Sequence, residues 1–266
     1  MQINLEDAAG QLNAVDSAHP GNAFLIFTPD NWDAPQTVLV SAVDDTVAEG
    51  THIRQIAHRV TSNDTGYDGL AIRDVRVRIE DNDGAGVVIE QTSGSTEVAE
   101  GGTADTYSIH LTSQPTANVQ LNLVTGDQIV AVDNTNPSNA FLLFTPDNWN
   151  TAQVVRVTAV DDHVVETTVD VIVAHEALST DSNYRGTHNL TVQVADNDTT
   201  DVMITESGDT TTAVEGGTGD TYTVVLTAQP THNVTVHLDV DTQVTTDTTQ
   251  LVFTPDNWHT AQTVEV

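Results

Sequence analysis

At 266 residues the chain has room for one to three domains with real cores. Its 7 basic and 39 acidic side chains give a formal net charge of -32, which disfavours nucleic acid and anionic membranes by repulsion and favours divalent cations. The absence of cysteine excludes disulfides and thiolate metal sites, and no apolar run approaches the roughly 18 residues of a membrane span.

The elements repeat with the period of a whole domain. Phe27-Thr-Pro-Asp-Asn-Trp32 returns as Phe144-Thr-Pro-Asp-Asn-Trp149 and as Phe253-Thr-Pro-Asp-Asn-Trp258. Ala99-Glu-Gly-Gly-Thr103 returns as Val214-Glu-Gly-Gly-Thr218, and Asp81-Asn-Asp83 returns 115 residues on as Asp196-Asn-Asp198. Met1-Gln-Ile-Asn-Leu-Glu-Asp7 has neither the basic nor the apolar region of a secretion signal, so either the natural chain starts elsewhere or export would use a signal located elsewhere. Gln2-Ile-Asn-Leu5 aligns with Gln120-Leu-Asn-Leu123, so a first copy, residues 1–83, enters without its opening two strands. A complete copy spans 84–198. A third, 199–266, stops at Thr263-Val-Glu-Val266, before its closing strands.

Within the complete copy, short runs rich in Val, Ile, Thr and Leu alternate with polar positions between Gly, Pro, Asn and Asp clusters. This pattern predicts strands at 86–90, 105–111, 118–124, 140–144, 153–160, 169–177 and 189–194. No segment carries a 3.6-residue apolar period. Seven short strands in a domain of this size imply an all-β fold, a tandem array of antiparallel immunoglobulin-like β-sandwiches, without the Cys…Trp…Cys spacing of an antibody domain.

Alternating strand direction sends the turns after the first, third and fifth strands, and the end of the seventh, to one pole. That upper pole receives Glu97, Glu100, Asp127, Asp133, Asp161, Asp162, Glu166, Asp196 and Asp198, whereas the lower pole receives little beyond Asp147 and Asp181. So many carboxylates repel one another unless cations intervene. Calcium suits them because it takes six to eight oxygens in flexible geometry, while zinc would want histidine, and no pair of the ten histidines has ligand spacing. A salt-adapted, merely solvated acidic surface has the same composition, so charge alone does not establish metal binding.

Val98-Ala-Glu-Gly-Gly102, Ala159-Val-Asp-Asp-His-Val-Val-Glu166 and Ala195-Asp-Asn-Asp198, with the Phe-Thr-Pro-Asp-Asn-Trp signature, resemble the Calx-β domain of bacterial surface proteins and sodium–calcium exchangers. The resemblance implies a Ca2+ site beside the linker to the next domain. By motif position its ligands would be Glu100, Asp161, Asp162, Glu166, Asp196 and Asp198, with a backbone carbonyl at Val164. Asn197 replaces the middle acid of the closing triplet, and Thr167-Thr168 replace an acidic run, which implies fewer ions or weaker binding. The first copy retains Asp44, Asp45, Glu49, Asp81 and Asp83 as a partial site. The third retains Glu215 alone and is expected to hold none.

Other features have plainer readings. Trp32, Trp149 and Trp258 read as corner anchors rather than sugar platforms. His58 and His175 read as satisfied structural histidines. The paired glycines precede no helix and form no phosphate loop. Adjacent acids such as Asp161 and Asp162 cannot flank a glycosidic bond, and no serine, histidine and acid set repeats, so no enzyme is expected. The expectation is a calcium-binding spacer of an extracellular or cell-surface protein, its partners being calcium ions and neighbouring repeats. Two alternatives stand beside it. One is an adhesion module for sugar, cell-surface or matrix ligands, for which the lower loops offer only Tyr184 and Arg185. The other is a calcium-sensing domain.

Overall fold

Alternating apolar and polar residues build flat surfaces with one face to bury, and here they pair antiparallel everywhere except between β-strands 97–99 and 186–195, which run parallel. The computed structural model describes residues 1–266. Its first copy contains β1 (Gln2–Glu6), β2 (Leu12–Asp16), β3 (Phe24–Ile26), β4 (Val38–Ala42), β5 (His52–Thr61) and β6 (Val75–Ile79). The middle copy begins with β7 (Val87–Gln91), β8 (Glu97–Ala99), β9 (Asp105–Leu111), β10 (Val119–Val124) and β11 (Ile129–Asp133). It continues with β12 (Phe141–Phe144), β13 (Gln153–Ala159), β14 (Val169–Ser179) and β15 (Gly186–Ala195). The last copy holds β16 (Val202–Glu206), β17 (Thr221–Leu226), β18 (Val234–His237), β19 (Gln250–Phe253) and β20 (Gln262–Glu265).

The middle copy is a two-sheet sandwich. One sheet has the order β12-β10-β14-β15-β8 and the other β11-β13-β9-β7. It has nine strands where the sequence pattern predicts seven. The additions are β8, which pairs parallel with β15, and β11, which pairs with β13. Between the sheets lies a cluster of 19 buried residues, among them Tyr107, Ile109, Leu121, Phe144, Val157 and Val192. The first copy offers β3-β1-β5-β6 and β2-β4, and the last offers β16-β17-β20 and β18-β19, each around five buried residues.

The repeated motif is the corner that joins the two sheets. Asn148 Oδ1 accepts the Thr145 N–H at 2.6 Å, and Asn31 and Asn257 do the same for Thr28 and Thr254. Gln153 Nε2 then donates to Leu143 O at 2.8 Å. Trp149 and Trp258 pack against their cores as anchors, and the Trp149 carbonyl accepts the Leu111 N–H at 2.9 Å. Trp32 is 70% exposed, because the first copy has no counterpart of β9 in the chain to cover it.

His175 is fully buried and satisfied, with Nε2 2.7 Å from the Tyr107 hydroxyl and Nδ1 2.8 Å from His188 O. His58 differs, for its Nδ1 is buried without a partner. Its neighbouring strand β6 pairs with β5 over only five residues, against nine for β15 on β14. Tyr184, one of the two lower-loop residues that could have served a ligand, is buried, and its hydroxyl accepts the Ser113 N–H at 3.1 Å.

Candidate metal centre

The upper pole of the middle copy is assembled by three segments. The turn after β8 supplies Glu100, the β13–β14 loop supplies Asp162, and the segment after β15 supplies Asp198. The Glu100 N–H donates to Ala195 O at 3.0 Å, which extends the β8–β15 pairing and carries Glu100 to the end of β15. The chain must then turn sharply. Gly101 has φ +60°, and a Cβ there would lie 2.8 Å from Asn197 Nδ2 and 3.4 Å from Asp161 Oδ1. A Cβ at Gly102 would lie 2.9 Å from Ala99 O. The two glycines therefore permit the close approach of the Glu100 turn to the acidic loops.

One carboxylate oxygen from each of Glu100, Asp162 and Asp198 lies within 4.8 Å of the other two. That separation matches one ion bonded to each at about 2.4 Å. Glu100 is only 3% exposed, and its Oε2 has no hydrogen-bond partner; nor has the buried Oδ2 of Asp198. A buried carboxylate oxygen without a partner is costly, because desolvation penalises its charge. Burial pushes the Glu100 carboxyl above its ordinary range, and the charges of Asp162, Asp196 and Asp198 add to the effect, against an N–H of Asp162 that opposes it. A divalent cation would meet this demand directly. The donor set is all carboxylate, which suits calcium and not zinc.

The other expected ligands have different places. Asp196 is committed to the backbone: its Oδ2 accepts the Glu166 N–H at 2.6 Å and its Oδ1 the Asp198 N–H at 2.9 Å. It closes the loop and so positions Asp198. Asp161 is exposed and accepts from Asn197 Nδ2 at 3.0 Å. Val164 donates its N–H to Asp162 Oδ1 at 2.7 Å, which orients that carboxylate. Glu166 is exposed. Asp133 is away from the pole, because it pairs with Val155 within the sheet and caps Thr135.

In the first copy Asp44, Asp45, Glu49 and Asp81 line a cleft of about 240 Å³ together with His52. Asp81 repeats the role of Asp196, accepting the N–H groups of Glu49 and Gly50 at 2.7 Å and of Asp83 at 3.0 Å. Asp44 takes Asn82 Nδ2 at 3.2 Å, and Asp45 takes the Val47 N–H at 2.8 Å. Burial, then Asp81, Asp44 and Asp45, push the Asp83 carboxyl up. Here, however, a cation comes from the protein: Glu49 lies 3.7 Å from an Arg54 nitrogen, with the His52 ring 3.6 Å away. In the last copy Glu215 stands exposed, unlike Glu100.

No protein-family model matches the chain, and no curated protein matches it in sequence. Among solved structures, domains 4 and 5 of the S-layer protein SbsC are similar with a TM-score of 0.30 and 11% identity, over 72% of this chain and 99% of that one. The calcium-binding domain CBD12 of CALX1.1 is similar with a TM-score of 0.26 and 15% identity, over 67% of this chain and 74% of that one. A longer SbsC piece, domains 4–9, gives 0.32 and 9%, over 99% of this chain and 42% of that one. Likenesses of this strength say nothing of the ligand of this chain.

Proposed function

We propose that the chain is a run of Calx-β-like spacer repeats, spanning 1–83, 84–198 and 199–266, in an extracellular or cell-surface protein. Calcium at the upper pole of a repeat stiffens its junction with the next. The observation that carries this reading is the buried, unpartnered oxygen of Glu100, set within one ion's reach of Asp162 and Asp198. A bound ion supplies the positive charge that lets these carboxylates remain ionised together. Asp196, the Val164 N–H and Gly101 hold the three ligands in place, and the Val164 carbonyl remains the backbone ligand that the resemblance implies. The first copy, with Arg54 and His52 beside Glu49, binds more weakly.

Small-angle scattering of the 266-residue chain in calcium and in chelator tests the reading. A maximum dimension and flexibility that both change on chelation support it. Identical profiles would leave an acidic sandwich whose pole is only solvated.

A further inference from the structure

The lower pole of each following repeat grips the acidic pole of the repeat before it, and it does so twice in the same way. At the first junction the Gln114 N–H donates to Thr46 O at 2.6 Å, and the Thr112 hydroxyl donates to Gly84 O at 2.5 Å. At the second the Gln229 N–H donates to His163 O at 2.7 Å, and the Thr227 hydroxyl donates to Thr199 O at 2.6 Å. The donors belong to one recurring segment, Leu111-Thr-Ser-Gln-Pro115 and Leu226-Thr-Ala-Gln-Pro230. Each glutamine is tied to its own repeat as well. Gln114 Nε2 donates to Pro146 O at 2.8 Å and Gln229 Nε2 to Pro255 O at 2.9 Å, inside the tryptophan corner.

The acceptors are placed with equal regularity. His163 directly follows Asp162, and Thr199 directly follows Asp198, two of the three converging carboxylates. Thr46 and Gly84 follow Asp45 and Asp83 in the same manner. Gly84 and Thr199 open the following copies, so the threonine bonds hold each linker to its own repeat while the glutamine N–H bonds cross between repeats. An ion that draws Asp162 and Asp198 toward Glu100 therefore fixes both carbonyls that the next repeat holds. Without it, repulsion among the carboxylates loosens both loops at once. The His163 ring adds a contact across the junction, 5.5 Å from Trp258 in edge-on geometry.

We propose that this Thr-x-Gln-Pro segment is an inter-repeat latch, which reads cation occupancy of the preceding repeat and converts it into a fixed orientation of the two. The partner surface is the acidic pole of another copy of the same repeat. This inference rests on the calcium reading above, and it adds the residues that transmit it. Coupling of this kind is reciprocal: if calcium favours the latched state, the latch favours calcium.

The absence of native cysteine allows spin labels at Thr191→Cys and Thr235→Cys, both on exposed strand positions of the middle and last copies. Distances are read by electron–electron double resonance on the full chain, and calcium binding by calorimetry. The expected result is a distance distribution that narrows in calcium for the parent and stays broad for Thr227→Val combined with Gln229→Pro, which removes the N–H that donates to His163 O. That variant also binds calcium at least about fivefold more weakly. Thr227→Ser, which keeps the hydroxyl, behaves as the parent. A double variant that narrows and binds as the parent does overturns the latch while calcium binding stands, as does a parent that binds calcium with no change in distance. A parent that binds no calcium overturns the calcium reading, and the latch with it.

Discussion

The upper poles of the first and middle copies share two acidic loops, but only the middle copy has the Glu100 turn, and the two handle their charge differently. In the first, Glu49 has His52 and Arg54 alongside, so part of the negative charge is met from within the chain. In the middle copy the corresponding positions on β14 are Val169 and Val171, and Glu166, in the place of Glu49, is exposed. A histidine ring, His163, lies 3.9 Å from Asp198, and Glu100, which has no counterpart in the first copy, is buried with an oxygen that meets nothing. The lesson is that an acidic motif marks a place where cations are needed. Its neighbours decide whether the protein or the solution supplies them.

That contrast breaks most visibly at Glu100. Glu100→Gln removes one of three converging charges and is expected to weaken calcium binding by about a hundredfold, since charge count tunes such sites over decades. It should also raise the melting temperature in chelator, because the unpaired buried charge is gone. Calorimetry and melting on the same sample check both. A variant less stable in chelator than the parent would count against the burial argument.

The core offers the next effect. Tyr107→Phe leaves His175 Nε2 buried without its partner and is expected to cost about 2 kcal/mol by urea denaturation. Burial holds the His175 imidazole below its ordinary pKa of 6.5. The unfolded chain therefore takes up that proton first as the pH falls. Stability should be full above pH 6.5 and decline below it, down to the depressed folded value. Melting curves between pH 7 and about 5, above the range of ordinary carboxylates, read this on a Glu100→Gln background, where the raised Glu100 carboxyl is gone. His175→Gln should flatten the decline, and an unaltered slope would assign it to other groups.

Gly101 and Gly10 sharpen the comparison further. Both have positive φ, but a Cβ at Gly101 meets Asn197 while one at Gly10 meets nothing within 4 Å. Gly10→Ala should cost about 1 kcal/mol for the backbone alone. Gly101→Ala should cost visibly more and lower calcium affinity as well. Equal costs would mean that the turn at Glu100 yields without consequence.

The smallest effect concerns Arg54. Arg54→Met frees Glu49 and should strengthen calcium binding in the first copy, with a stability change below about 1 kcal/mol, because the pair is partly exposed. Weaker binding would show that Arg54 orders the loop instead of competing with the ion.

Much of this was legible in the sequence because the repeat is close to verbatim. Six of the seven expected strands lie within two residues of their observed bounds, and β15 begins three residues early at Gly186. The additional strands escaped notice for physical reasons. β8 has only three residues, and its pairing with β15 is across a long sequence distance. β11 sits behind Thr125-Gly-Asp-Gln128, which reads as a turn. At the pole, sequence could not separate an acid that faces an ion from one that caps a loop. Asp196 and Asp198 are two residues apart in the same triplet, yet only Asp198 keeps an oxygen free of any partner. The Thr-x-Gln-Pro segment recurs in the sequence, but the acceptors of its Gln114 and Gln229 N–H groups, Thr46 O and His163 O, lie in the preceding copy, where no local pattern points.

The most direct test of the central claim is calcium titration calorimetry on the 266-residue chain and on Asp162→Asn and Asp161→Asn. The geometry predicts saturable binding that is largely lost with Asp162→Asn and nearly retained with Asp161→Asn. Equal losses from both, or no heat in the parent, would contradict a centre built on Glu100, Asp162 and Asp198.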